Sequence, residues 1–168
     1  MLGINIIFAG FTLTLNGVSY FVNVDNKAKG IANLITGVII GFNSMVQTAG
    51  ATDHVGFAIA AAMWLFSVNY LMIGAHTLLR CENWKVFGLY SLFAAIASFV
   101  FAGEVIVVGA PLVLTYLWGM WGILWLQSFL AIFLEINKVD KYTPHILIIN
   151  GIASTFVPGL LILLGVIL

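Results

Sequence analysis

Three tryptophans are the side chains in this sequence best suited to act on a solute. Trp118, Trp121 and Trp125 stand at i, i+3 and i+7 inside an apolar stretch running from about Leu112 to Phe133. At 3.6 residues per turn they fall within about 60° of one helix face, with Leu114, Gly122 and Phe129 alongside. An indole offers a flat apolar ring and a single N–H donor. Membrane helices usually carry Trp at their two interfaces, where that N–H reaches water, yet Trp121 and Trp125 lie deep in the stretch. Two readings follow: packing residues between helices, or the wall of a narrow passage whose N–H groups face a passing solute.

A second set of residues is polar and uncharged. Leu2, Asn5, Ile6, Ala9, Leu13 and Asn16 share one face by helical spacing, as do Asn33, Gly37, Ile40, Ser44 and Gln47, and Phe66, Asn69, Tyr70, Ile73 and Thr77; near the C-terminus stand Asn150 and Ser154. Amides donate and accept, so they suit a small neutral polar solute, while rings and aliphatic groups set a width that excludes hydrated ions. The competing reading is that each amide bonds across a helix contact. Four segments each presenting an amide favours a polar lumen for the group.

Catalytic chemistry is poorly supplied. His54, His76 and His145 fall at separate segment ends, no paired-carboxylate or Ser/His/Asp spacing joins them, and no metal-ligand, nucleophile-elbow or phosphate-cradling motif occurs. Glu135 lies three residues before Lys138, where an i,i+3 ion pair is the ordinary expectation. The single cysteine, Cys81, excludes an internal disulfide. No catalytic residue, metal or cofactor is expected. With zero net charge and no basic run, nucleic acid is excluded as a partner.

The elements that must position these residues follow from composition. With 62% hydrophobic and 7% charged residues, and a mean hydropathy of +1.15, the chain reads as an all-α integral membrane protein. Cutting it at its charges predicts six membrane-spanning helices at about 2–22, 31–50, 55–79, 86–103, 107–133 and 144–168 in one channel domain, residues 1–168. The first is read as a retained span, because it has no basic n-region or cleavage site. All six Lys and Arg residues fall in alternate loops, Lys27/Lys29, Arg80/Lys85 and Lys138/Lys141. The positive-inside rule therefore places those loops in the cytoplasm and both termini outside it. Gly37-x-x-x-Gly41 permits close backbone approach, within the protein or between subunits. Pro158 is expected to kink the last helix just beyond Asn150 and Ser154.

Several stretches together carry a family likeness: Met1-Leu-Gly, Asn16-Gly17, Val24-Asp25, Phe66-x-x-x-Tyr70-Leu71, Tyr90-Ser-Leu-Phe93, Trp118-x-x-Trp121-Gly-x-Leu-Trp125-Leu, Tyr142-Thr-Pro144 and Ile149-x-Gly151. In order and across essentially the whole chain, they resemble the AmiS/UreI family of bacterial urea and short-chain amide channels. The resemblance implies a six-helix protomer with its own pore, a hexameric ring with lipid at its centre, and a place in the bacterial inner membrane. It also implies passive flow of urea or a short-chain amide toward a cytoplasmic urease or amidase. Family pore constrictions would fall on Leu2, Ile6, Leu13, Phe66, Tyr70, Trp118, Trp121 and Trp125. Asn150 stands where pH-gated members carry a pore-associated glutamate, and could bond the solute. Asn16, Asn69 and Ser154 are further pore candidates. The outer loops here are short, with only Asp53, His54 and Glu104 to titrate, so acid gating is not expected. A secondary transporter of a small neutral solute and a non-conducting assembly subunit are the alternatives; the first lacks an intramembrane charge to hold a coupling ion, and the GxxxG spacing is the best support for the second.

Overall fold

Two aspartates open the two longest helices. In a computed structural model that describes residues 1–168, the Asp25 carboxylate accepts the backbone N–H of Ala28 at 2.8 Å, and Asp53 accepts that of Gly56 at 2.7 Å. Each satisfies one of the orphan donors of a first turn. The helices that result are α1 (Leu2–Val18), α2 (Asn26–Gly50), α3 (His54–Leu79), α4 (Lys85–Val107), α5 (Leu112–Phe133), the short α6 (Asn137–Asp140) and α7 (Thr143–Leu163). Helices α2, α3, α4, α5 and α7 are long and apolar enough to cross a membrane. Helix α1 is apolar but has 17 residues, about 26 Å at 1.5 Å per residue.

Several ends differ from those expected. The first helix stops at Val18, four residues short of Val22, and the second begins at Asn26, not Ile31, so Lys27 and Lys29 sit in its opening turns. Helix α4 runs on through Glu104 to Val107, the next starts only at Leu112, and the last ends at Leu163, not Leu168. Hydropathy follows the surroundings of a segment, whereas the backbone stops where a turn or cap is available; Tyr20, Phe21 and Val22 are apolar yet lie in a turn. The tight connection before α5 uses Gly109 at φ +69, a conformation glycine adopts without a Cβ penalty.

The helices pack chiefly as α1 on α7, α2 on α3 and α4 on α5. Small residues set the first two contacts. A Cβ added at Gly10 would lie 2.6 Å from the Gly151 carbonyl oxygen, and one at Gly37 would lie 2.8 Å from Leu71 Cγ. Gly41 lies against Ser67 of α3 in the same way, so the GxxxG spacing serves the α2–α3 contact inside one chain. Helix α7 is interrupted by a π-helical stretch, Asn150–Phe156, just before Pro158. Proline lacks the N–H that would bond the Ser154 carbonyl four residues back, and a turn earlier the hydroxyls of Ser154 and Thr155 donate to the Asn150 carbonyl at 2.8 and 3.1 Å. The expected bend thus takes the form of a widened turn whose carbonyl is satisfied by side chains.

All three basic connections gather at one end of the bundle, where Lys27, Lys29, Arg80 and Asp140 line one cavity. Glu135 there pairs with Lys85 at 3.0 Å across the α4–α5 hairpin, not with Lys138. Its backbone is left-handed, φ +55, so the helical i,i+3 geometry assumed for that pair is absent. At the opposite end His54 meets Glu104 at 3.6 Å. Outward faces are apolar, with Ile35, Val38 and Phe42 on α2 and Phe93, Ile96 and Val100 on α4 exposed.

Candidate functional site

The three indoles of α5 meet the aromatic face of α3. Phe66 lies 4.9 Å from both Trp121, edge to face, and Trp125, tilted, measured between ring centroids. Trp118 stands edge-on to Trp121 at 5.5 Å, and Tyr70 stacks beyond Phe66 at 6.2 Å. These are the separations at which aromatic pairs attract. Helix α1 completes the cluster with Ile6 and Leu13 buried in it and Leu2 packed against it. Eight residues picked out by sequence, Leu2, Ile6, Leu13, Phe66, Tyr70, Trp118, Trp121 and Trp125, therefore come together from three helices.

Two cavities flank this septum. The larger, about 1350 Å³, opens at the basic end and reaches inward to Leu13, Asn16, Asn69 and Trp125. The smaller, about 20 Å³, lies at the other end among Val55, Phe101, Glu104 and Trp118. Neither is lined by Ile6, Phe66, Tyr70 or Trp121, which fill the space between. The order along the axis is thus Trp118, then Trp121 with Phe66, then Trp125.

Polar groups brace the rings from behind. The Tyr70 hydroxyl donates to the Ala9 carbonyl at 2.8 Å, tying α3 to α1, and Trp125 Nε1–H donates to Asn69 Oδ1 at 3.1 Å. Trp121 Nε1 is the exception: it is buried and has no hydrogen-bond partner. An orphaned buried donor costs about 1–3 kcal/mol, so the Trp121 N–H gains from any acceptor that reaches it.

The amides divide differently from the expected lumen lining. Asn16 and Asn33 exchange reciprocal hydrogen bonds at 3.0 and 2.9 Å, Thr12 meets Thr36 at 2.6 Å, and Asn43 donates to Asn5 at 2.7 Å. These pairs form a polar seam between α1 and α2, so interhelical bonding accounts for most of that set. Asn16 still touches the large cavity. Asn150 is buried and bonds within its own helix, donating to the Ile146 carbonyl at 3.2 Å and accepting from Ser154 at 3.0 Å; Ser154 is likewise spent inside α7. Asn69 alone joins the aromatic site directly.

Sequence reasoning missed Phe101, which stacks on Trp118 at 4.7 Å. Phe101 and Trp118 lie at near-equal distances along the chain on either side of the turn at Gly109, so the antiparallel α4–α5 hairpin places them opposite each other. That register was the available signal.

Residues 1–166 match the family model described as AmiS/UreI family transporter. The chain belongs to the AmiS/UreI family. It is therefore a multi-pass membrane transporter, in keeping with its apolar helices. Among curated relatives, the acid-activated urea channel of Helicobacter pylori is 28% identical, with 96% of this chain and 97% of the relative covered. The AmiS2 protein of Rhodococcus erythropolis is 26% identical, covering 96% of this chain and 79% of its own. Among solved structures, the crystal structure of the Helicobacter pylori urea channel superposes with a TM-score of 0.86 at 25% identity, covering 100% of both chains. The closed state of that channel determined by cryo-EM gives 0.80 at 25% identity over 98% of both.

Proposed function

We propose that this family member is a channel for passive permeation of urea or small aliphatic amides across a bacterial inner membrane, toward a cytoplasmic urease or amidase. The observation that carries the reading is the aromatic septum between two cavities, with the Trp121 N–H buried and unpartnered at its centre. A flat, neutral molecule with a carbonyl oxygen can slip between rings and accept from that N–H. A hydrated ion finds nothing to replace its water, since no Asp, Glu, Lys or Arg is among the buried residues. The same absence counts against an ion-coupled carrier. The constriction consists of Leu2, Ile6, Leu13, Phe66, Tyr70, Trp118, Trp121 and Trp125, with Asn69 at its basic-end mouth and Asn16 on the cavity wall; Asn150 and Ser154 shape the α7 bend behind it.

In this reading α1 is a sixth crossing, because a largely apolar helix of 17 residues reaches the lower limit for a span. The basic end faces the cytoplasm, both termini lie outside, and six protomers with individual pores ring a lipid-filled centre, as the family resemblance implies. Stopped-flow light scattering on proteoliposomes tests permeation: urea and acetamide flux should be linear in concentration, independent of ion gradients and faster than glycerol. Saturation with dependence on a proton or sodium gradient would instead establish a carrier. Orientation is checked by thiol labelling, with Cys81 as the inner reference and a cysteine placed at Thr52. A Thr52 label that requires opening the inner face would reverse the assignment.

A further inference from the structure

The Trp125 indole and the Asn69 amide meet at the floor of the large cavity, and their chemistry fixes which way the amide points. An indole N–H donates and has no lone pair to accept with. The atom 3.1 Å from it is therefore the Asn69 oxygen, and the NH₂ group is the end of the amide turned away from Trp125. Asn69 is 5% exposed and lines the cavity together with Leu13 and Trp125. Its side chain makes no other hydrogen bond. Trp125 therefore cannot serve a solute as a free donor, while Asn69, its amide plane pinned by Trp125, presents its NH₂ group at the point where the large cavity narrows to the septum.

We propose that Asn69 is the specificity-determining residue of the pore's inner mouth, selecting solutes that carry a carbonyl oxygen over solutes of similar size that carry only hydroxyls. The inference rests on the channel reading above and adds to it a polar filter distinct from the ring constriction. A fixed NH₂ group welcomes an acceptor. A polyol also has acceptor lone pairs, but a hydroxyl oxygen is a weaker acceptor than an amide carbonyl oxygen, so a fixed pair of N–H donors holds the carbonyl compound more strongly. A site built around one polarity of hydrogen bond discriminates far better than an apolar slot of the same width. Pinning matters as much as identity, because an amide free to rotate would offer oxygen as readily as nitrogen.

Two variants separate polarity from packing. Asn69→Asp keeps an oxygen for the Trp125 N–H but replaces the NH₂ with a second acceptor. The acetamide-to-ethylene-glycol flux ratio in proteoliposomes at pH 7 should then fall at least tenfold. Trp125→Phe removes the pin while keeping an aromatic ring, and should lower the same ratio by a smaller factor, about threefold. A purely structural role for Asn69 would move both fluxes together and leave the ratio within twofold of the parent, which would overturn the inference, as would an unchanged ratio in Trp125→Phe should Asn69→Asp fail to assemble. A parent protein that passes neither urea nor acetamide defeats the channel reading itself, whereas a conducting parent with an unaltered ratio in the variants defeats only the role of Asn69.

Discussion

Replacing Trp121 with Phe isolates the one buried indole N–H that has no partner. The ring at this position packs on Phe66 at 4.9 Å and on Trp118 at 5.5 Å, so a phenyl ring preserves most of the aromatic contact while deleting the donor and narrowing the side chain. If a solute carbonyl accepts from this N–H at the narrowest point of its path, losing a hydrogen bond of net worth about 0.5–1.5 kcal/mol should raise the barrier enough to slow urea about two- to twelvefold. Stability should move the other way or barely at all. Deleting a donor that lacked a partner relieves about 1–3 kcal/mol of desolvation penalty, which offsets the packing lost with the larger ring. The assay pairs stopped-flow urea and glycerol flux with thermal unfolding of the detergent-solubilised oligomer. A rise in urea and glycerol flux by similar factors would show that Trp121 is a plug that sets width alone, and would refute the reasoning about its N–H.

Three further outcomes are expected. Asn16→Leu leaves Asn33 with unsatisfied groups and should cost about 1–3 kcal/mol, whereas the double change Asn16→Leu/Asn33→Leu should recover most of that loss, with urea flux within threefold of the parent throughout; a large flux defect in the stable double variant would restore these amides to the lumen. Gly10→Ala forces a Cβ against the Gly151 carbonyl and should lower the apparent melting temperature of the oligomer by several degrees, a loss Ala at the uncrowded Gly119 should not reproduce. Urea flux should change less than about threefold between pH 5 and pH 7.5, because the outer-end pair joins an exposed His54 to a half-buried Glu104 at 3.6 Å and ion pairs near the surface are worth about 0–1 kcal/mol, against about 5.5 kcal/mol for a near-complete switch; a tenfold rise in acid, abolished by His54→Ala, would show that this pair gates.

The aromatic face of α5 was legible in the sequence because helical periodicity alone decides which of Trp118, Trp121 and Trp125 point the same way, and the Phe66/Tyr70 spacing on α3 is read by the same rule. What a face meets is a different matter. Asn5, Asn16 and Asn33 were correctly grouped by spacing, but an amide satisfies another amide as well as it satisfies a solute. Only the register of α1 on α2, fixed by the turn between Val18 and Asn26, turns them toward each other. The surroundings of Asn150 were hidden for a related reason: Ser154 bonds back to its carbonyl four residues earlier as in an ordinary helix, and the extra residue in the π-helical turn before Pro158 brings Thr155, five residues on, to the same carbonyl. Helix ends were misjudged wherever apolar residues such as Phe21 and Val22 continue past the last helical hydrogen bonds, since hydropathy carries no information about backbone turns.

The septum draws one wall from each of the three helix pairs, Ile6 and Leu13 from α1, Phe66 and Tyr70 from α3, and the indoles from α5, so its width depends on how those pairs sit against one another. Rings chosen for width must be held still, and the two cross-links do this at the inner side: Tyr70 is anchored to a backbone carbonyl of α1, and Trp125 to Asn69 of α3. The two bonds occupy the Tyr70 hydroxyl and the Trp125 N–H, which leaves Trp121 with the one buried, unpartnered indole N–H between the rings. Discrimination against ions then needs no charged gatekeeper. Stripping a monovalent ion of water costs tens of kcal/mol that rings and one N–H cannot return, whereas a neutral amide gives up only a few hydrogen bonds and regains some of them at each end. On the proposed channel reading, a passage lined in this way would pass neutral carbonyl compounds and hold back hydrated cations.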